Sequence, residues 1–221
     1  MVTKIVPYLL VVLASACLAG EPGSNYKLVN RVTPDSSAEF FGGPHIDIVK
    51  ELYQRTDGDT PTYKIVLSSL AHPSRKKLLF SYDRMAEADL SPDGTWFLVN
   101  DRPGRGNCEP RLFRKQEGLK FTEVKNAHIQ EKAISFFISA NKYPRNIGKH
   151  LLSTDSIVES MLWSDDSRSL LLRFSIARTG EPVWVYNWRC IYDLTTESIT
   201  MDMEVLNHGA ILSGRHLATD Q

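Results

Sequence analysis

The sequence predicts a mainly β fold: antiparallel, blade-like sheets with one or two helices packed across them. Three observations predict it. The stretch Ala86 to Asn100 reads strand, tight turn, strand, with Ser91-Pro92-Asp93-Gly94 at the turn. There Pro92 presets φ, the Asp93 carboxylate accepts from nearby backbone N–H groups, and Gly94 takes a positive φ without strain. A weaker copy follows 73 positions later, at Leu162 to Leu172, aligning Ser91 with Ser164, Asp93 with Asp166 and Leu98 with Leu171. Aromatic and β-branched runs of strand length then fill most of the chain, as half-buried strands require.

Leu90 to Gly104, continued by Pro110 to Val124, resembles the WD-like β-propeller repeat of TolB-type proteins. The parts are the Ser91 to Gly94 turn, the apolar strand Trp96 to Val99, the polar loop Asp101 to Gly104, the strand at Leu112 to Arg114, a turn at Gly118 and the closing strand Leu119 to Val124. The second copy departs from the pattern, with Asp165 for the proline and Ser167 for the glycine. The resemblance implies an incomplete or divergent β-propeller, used as a binding scaffold or as a gating domain before a hydrolase. One four-stranded blade takes about 40–45 residues, so the 73-residue offset includes an inserted element. Open sheet edges need covers. The helix near 127–141 and the N-terminal segment are the expected ones.

Taken in order, Met1 to Gly20 reads as a signal peptide. It has a basic Lys4, an apolar Ile5 to Leu13 too short to span a bilayer, and small residues at Ala14-Ser15-Ala16 and Ala19-Gly20. Cys17 stands where a bacterial lipoprotein carries its lipid, although the usual leucine is one position early, at Leu13. The sequence leaves three outcomes open: lipid attachment at Cys17, ordinary cleavage near Ala19, or a retained, buried N-terminal helix. Either of the first two implies export to the periplasm, the outer membrane or the exterior. Residues 21–221 read as a single β-rich domain, with repeats near 86–124 and 158–204.

Tyr26 to Val29 fits a strand. Ile46, Val49, Leu52 and Tyr53 lie at helical spacing, so 45–55 is either a short helix or a bulged strand. Thr56 to Pro61 is a turn; its Asp-Gly-Asp lacks the remaining ligands of a calcium loop. Strands are expected at 63–69 and 77–82, then at 86–91, 95–100, 110–115 and 119–124. Ala127, Ile129, Ala133, Phe136, Phe137 and Ala140 take helical period, with Asn126 as the expected cap and Lys142-Tyr143-Pro144 as the stop. Strands resume at 158–163, 168–175, 183–193 and 197–204. Trp184, Tyr186, Trp188, Cys190 and Tyr192 share one parity, hence one strand face. The tail from Asn207 is small and polar and is expected to fray.

Lys+Arg and Asp+Glu are both 26, and removing the first 20 residues leaves a formal −1. Without a basic stripe, nucleic acid is not expected as a partner. The six histidines are scattered, with no metal-ligand spacing, and no Gly-x-Ser-x-Gly elbow or phosphate loop occurs. No catalytic residue, metal or cofactor is therefore assigned. Cys108 and Cys190 are either a disulfide, as export permits, or two small buried hydrophobes. On strand alternation, Trp96 and Leu98 share one face and Phe97 and Val99 the other. Ser169 stands where Trp96 does in the copy, so Phe97, Val99, Leu170 and Leu172 are the expected core. The function expected is a non-catalytic, exported cell-envelope scaffold for an unidentified protein partner. The alternative is a periplasmic hydrolase with a loop-built site.

Overall fold

The computed structural model describes residues 24–32, 48–58, 61–104, 107–141, 147, 151, 156–176, 185–202 and 211–212, the residues from 201 on as backbone only. The signal segment with Cys17, the Lys142 to Pro144 stop, Trp184 and the tail from Asn207 lie outside the described residues, apart from 211–212.

Within that range the chain makes three antiparallel four-stranded meanders. The first is β1 (Tyr26–Val32), β2 (Ile48–Arg55), β3 (Tyr63–Ser69) and β4 (Lys76–Tyr82). The second is β5 (Met85–Leu90), β6 (Trp96–Gly104), β7 (Asn107–Glu117) and β8 (Lys120–Glu123). The third is β9 (Ser156–Trp163), β10 (Ser169–Ile176), β11 (Val185–Asp193) and β12 (Ser198–Asp202), with β13 (Ile211–Leu212) beside the start of β11. A parallel bridge, Cys108 to Ile157, joins the second and third meanders into one nine-stranded sheet. The first meander stays a separate four-stranded sheet, and among the described residues the sheets do not close on each other. The fold is thus mainly β, antiparallel and blade-like, as the sequence predicts. The sequence reading missed that 26–82 makes a unit of its own.

The two aligned turns have the same bonds. The N–H of Ser91 donates to the Trp96 carbonyl (2.8 Å), and that of Ser164 to the Ser169 carbonyl (2.9 Å). Both serine hydroxyls take the returning backbone N–H at 2.9 Å and donate to the aspartate two residues on. Gly94 (φ 71°) and Ser167 (φ 60°) occupy the same left-handed position. The missing glycine therefore changes the residue and not the turn. The turns also touch, since the Asp93 N–H donates to the Ser167 hydroxyl at 3.0 Å.

The core has two layers, one on each side of the second meander. Phe97, Val99, Ala88 and Phe113 pack against Ile48, Ile65 and Leu67 of the first meander. Leu98 and Leu112 pack the opposite way, with Leu170, Leu172, Phe174, Trp188 and Tyr192 of the third. Phe97, Val99, Leu170 and Leu172 are buried as expected. The premise that only one face of β6 is fully buried does not hold: Leu98 is 1% exposed, because a middle unit is covered on both sides.

The helix, α1 (Ile129–Ala140), fills the wedge between the second and third meanders through Ile129, Ala133, Ile134, Phe137 and Ile138. It packs against β7 and against β12, the strand at the far end of the sheet, in keeping with its expected role as an edge cover. The expected cap is corrected. His128, at φ 46°, precedes the first turn without a side-chain cap, while Asn126 lies two residues outside it. One open alternative resolves and one expectation changes. Residues 48–55 take the strand alternative; both faces of β2 are packed, and mixed burial mimics helical spacing. Tyr186 is 57% exposed although Trp188, Cys190 and Tyr192 are buried, because Asn187 at φ 60° and a register shift at Phe174/Ile176 break the alternation.

Candidate functional site

A cleft of about 280 Å³ opens where the first meander meets β5. Its floor is Leu52, Ile65 and Tyr82, its rim carries Asn30 and Lys50, and its far wall is the backbone of Ala86 to Asp89. Tyr82 is held in place by stacking on Tyr63, centroids 5.2 Å apart, and on Phe80. Burial, with a smaller contribution from Tyr63, pushes its phenol up to about 12. It stays a neutral hydrogen-bonding group at ordinary pH.

The far wall is a strand edge. Among the described residues β5 pairs with β6 alone. Its register is Ala86 to Asp101, Glu87 to Asn100, Ala88 to Val99, Asp89 to Leu98 and Leu90 to Phe97. Ser91 and Trp96 form a hydrogen-bonded pair at the hairpin end. Antiparallel pairs alternate, so Asp89 and Glu87 exchange bonds with β6, whereas Leu90, Ala88 and Ala86 direct N–H and C=O groups away from it. The Ala88 carbonyl bears this out: it accepts from the Lys50 ammonium across the cleft. The side chains alternate too. Ala86 and Ala88 face the first meander, and Glu87 and Asp89 lie on the other side, both exposed.

A buried polar seam ties β6, the neighbour of this edge, to β9. Asn100, 3% exposed on β6, donates its amide to the Ser160 carbonyl at 2.9 Å and accepts from the Ser160 N–H at 2.9 Å. Next to it the buried Glu159 carboxylate accepts from Arg102 at 2.6 Å and from Arg173. The same Arg102 lies 3.9 Å from Glu87, at the edge of the cleft. A second network occupies the first meander. There Glu51, also buried, accepts from Tyr53 (2.8 Å), Ser68 (3.2 Å) and Lys76 (2.8 Å). Burial works to raise its pKa, and the bonds from Lys76 and Tyr53 outweigh it, leaving the carboxyl below its usual range.

Sequence reading assigned no catalytic or metal site, and Cys17 lies outside the described residues. His72 and His128 are exposed and far apart in sequence, and no cluster of three or more His, Cys, Asp or Glu fit for a metal occurs among the described residues. Cys108 and Cys190 are buried thiols with no disulfide between them, so of the two alternatives the structure has the small buried side chains. Burial pushes the Cys108 thiol up to about 12, away from the thiolate form that a nucleophile uses. Lys50, Tyr82, Glu87 and Asp89 were missed. The available signal was the small-acidic alternation Ala86-Glu87-Ala88-Asp89, a composition typical of a strand that must remain unpaired.

No family model matches the chain, and no curated protein does. Among solved structures it is similar to the β-propeller domain of the Trilobed protease from Pyrococcus furiosus, described as having an open velcro topology. The identity is 15% and the TM-score 0.43, over 85% of this chain and 43% of that one. The chain thus spans under half the length of that structure.

Proposed function

We propose that the protein is a non-catalytic interaction scaffold, a TolB-type repeat protein exported to the bacterial cell envelope. The observation that carries this reading is the β5 edge at the cleft, unpaired among the described residues. Outward N–H and C=O groups beside an apolar floor offer a partner backbone bonds and side-chain pockets together. Export rests on Lys4, Ile5 to Leu13 and the small residues to Gly20, and the lipid, where present, is on Cys17.

A photo-crosslinking residue at Glu87 tests the scaffold role. It is expected to give a discrete protein adduct in the envelope fraction, whereas the same residue at Gln116, exposed at the far end of β7, gives none. Equal adducts at both, or none at either, would sink the reading. Mass spectrometry of the mature N-terminus tests export: loss of 16 to 20 residues is expected, and a chain beginning at Met1 contradicts it.

A further inference from the structure

Resting on that scaffold reading, we infer that the cleft takes an extended peptide that adds to β5 as a further strand, with apolar residues alternating with basic ones. The alternation follows from the two sides of β5. A strand laid on its outer edge places one set of side chains beside Ala86 and Ala88, over Leu52, Ile65 and Tyr82. That set meets an apolar floor and two methyl groups, so it is apolar. The other set stands beside Glu87 and Asp89, two exposed carboxylates on one face, so it is basic.

The backbone groups that such a strand needs are already in position. Ala86 and Ala88 point theirs into the cleft, and the Lys50 ammonium holds the Ala88 carbonyl as an incoming N–H would. Lys50 gives way when the strand binds. β5 is six residues long, about 20 Å at the usual strand rise, which fixes the peptide at five to six residues.

A fluorescent N-acetylated peptide of alternating valine and lysine, read by anisotropy with the full chain, tests this. It is expected to bind saturably, and the same peptide N-methylated at the alternate residues whose N–H groups face β5 is expected to lose binding, since its charge is unchanged and the donors to β5 are gone. Ala86→Pro removes one outward N–H and no bond to β6, so it is expected to abolish binding with the melting temperature unchanged. Should that variant melt early, the N-methylated peptide on the unaltered protein decides. Glu87→Lys with Asp89→Lys is expected to weaken the lysine peptide about tenfold and to favour its glutamate counterpart. No binding, or binding indifferent to N-methylation, overturns the inference. A Glu87 crosslink to a partner without peptide binding leaves the scaffold reading standing and this one refuted.

Discussion

Replacing Asn100 with leucine tests how the second and third meanders are joined. Leucine keeps the volume and removes both bonds to Ser160. The Ser160 N–H and C=O then face a 3%-exposed site without partners, while Ser160 itself is 9% exposed. Each unsatisfied buried group costs about 1–3 kcal/mol. Limited water access to Ser160 places the pair in the lower half of the doubled range, at about 3 kcal/mol. For a chain of this size that is a melting-point loss of roughly 6–12 °C. Urea unfolding at pH 7, with the slope unchanged, is the assay. Asn100→Asp adds a check on the sign. Its carboxylate still accepts from the Ser160 N–H but turns a second anionic oxygen on the Ser160 carbonyl. Protonation restores the donor, so its folded pKa lies above the unfolded one, and the variant's deficit shrinks as pH falls. A leucine variant within ~0.5 kcal/mol of the parent protein, or an aspartate variant indifferent to pH, would refute this account of the seam.

Four further outcomes are expected. Phe97, 2% exposed and edge-on to Phe121 at 4.9 Å, should cost ~3–5 kcal/mol on truncation to alanine; the half-buried Trp96 should cost clearly less, by denaturant unfolding of both variants. Glu51, with its folded pKa lowered, contributes stability that is present above the unfolded carboxyl pKa and lost as pH falls through the folded one; melting curves from pH 7 to 3 should be steeper for the parent protein than for Glu51→Gln. Gly94→Val puts a β-branched residue at φ 71° and should cost ~1 kcal/mol or more, whereas Ser167→Gly gains backbone ease, loses its bond from Asp93, and should melt near the parent temperature. A thiol reagent should label neither Cys108 nor Cys190 in the native protein and both after denaturation; rapid native labelling would contradict their burial.

Local chemistry was legible in the sequence where it repeats. Ser91-Pro92-Asp93-Gly94 and Ser164-Asp165-Asp166-Ser167 predicted two equivalent hairpins, and the apolar period after Asn126 predicted α1, because turn bonds and helix faces are short-range. Packing partners were not legible. Leu98 is buried because the third meander and α1 cover its face, and β2 reads ambiguously because Val49 and Leu52 are packed on opposite sides of one strand. The one-residue irregularity at Asn187 reversed the exposure of Tyr186, and its one local mark is the asparagine itself, a residue that tolerates a positive φ. The cleft depends on the first meander meeting β5, with Lys50 reaching Ala88 across 38 positions. A contact of that separation leaves no trace in local pattern, and only the small-acidic alternation of β5 hinted that its edge stays open.

Residue-resolved hydrogen exchange along β5 in the free protein tests the central claim, an unpaired strand edge offered to a partner, most directly. The amides of Ala86 and Leu90 point away from β6 and should exchange about 100-fold faster than those of Glu87 and Asp89, which bond to it. Fast and slow sites alternating along the strand, and becoming uniformly slow when the valine-lysine peptide is added, is the result the account predicts. Uniform protection of all these amides in the free protein would mean that the edge is already occupied, and would contradict it.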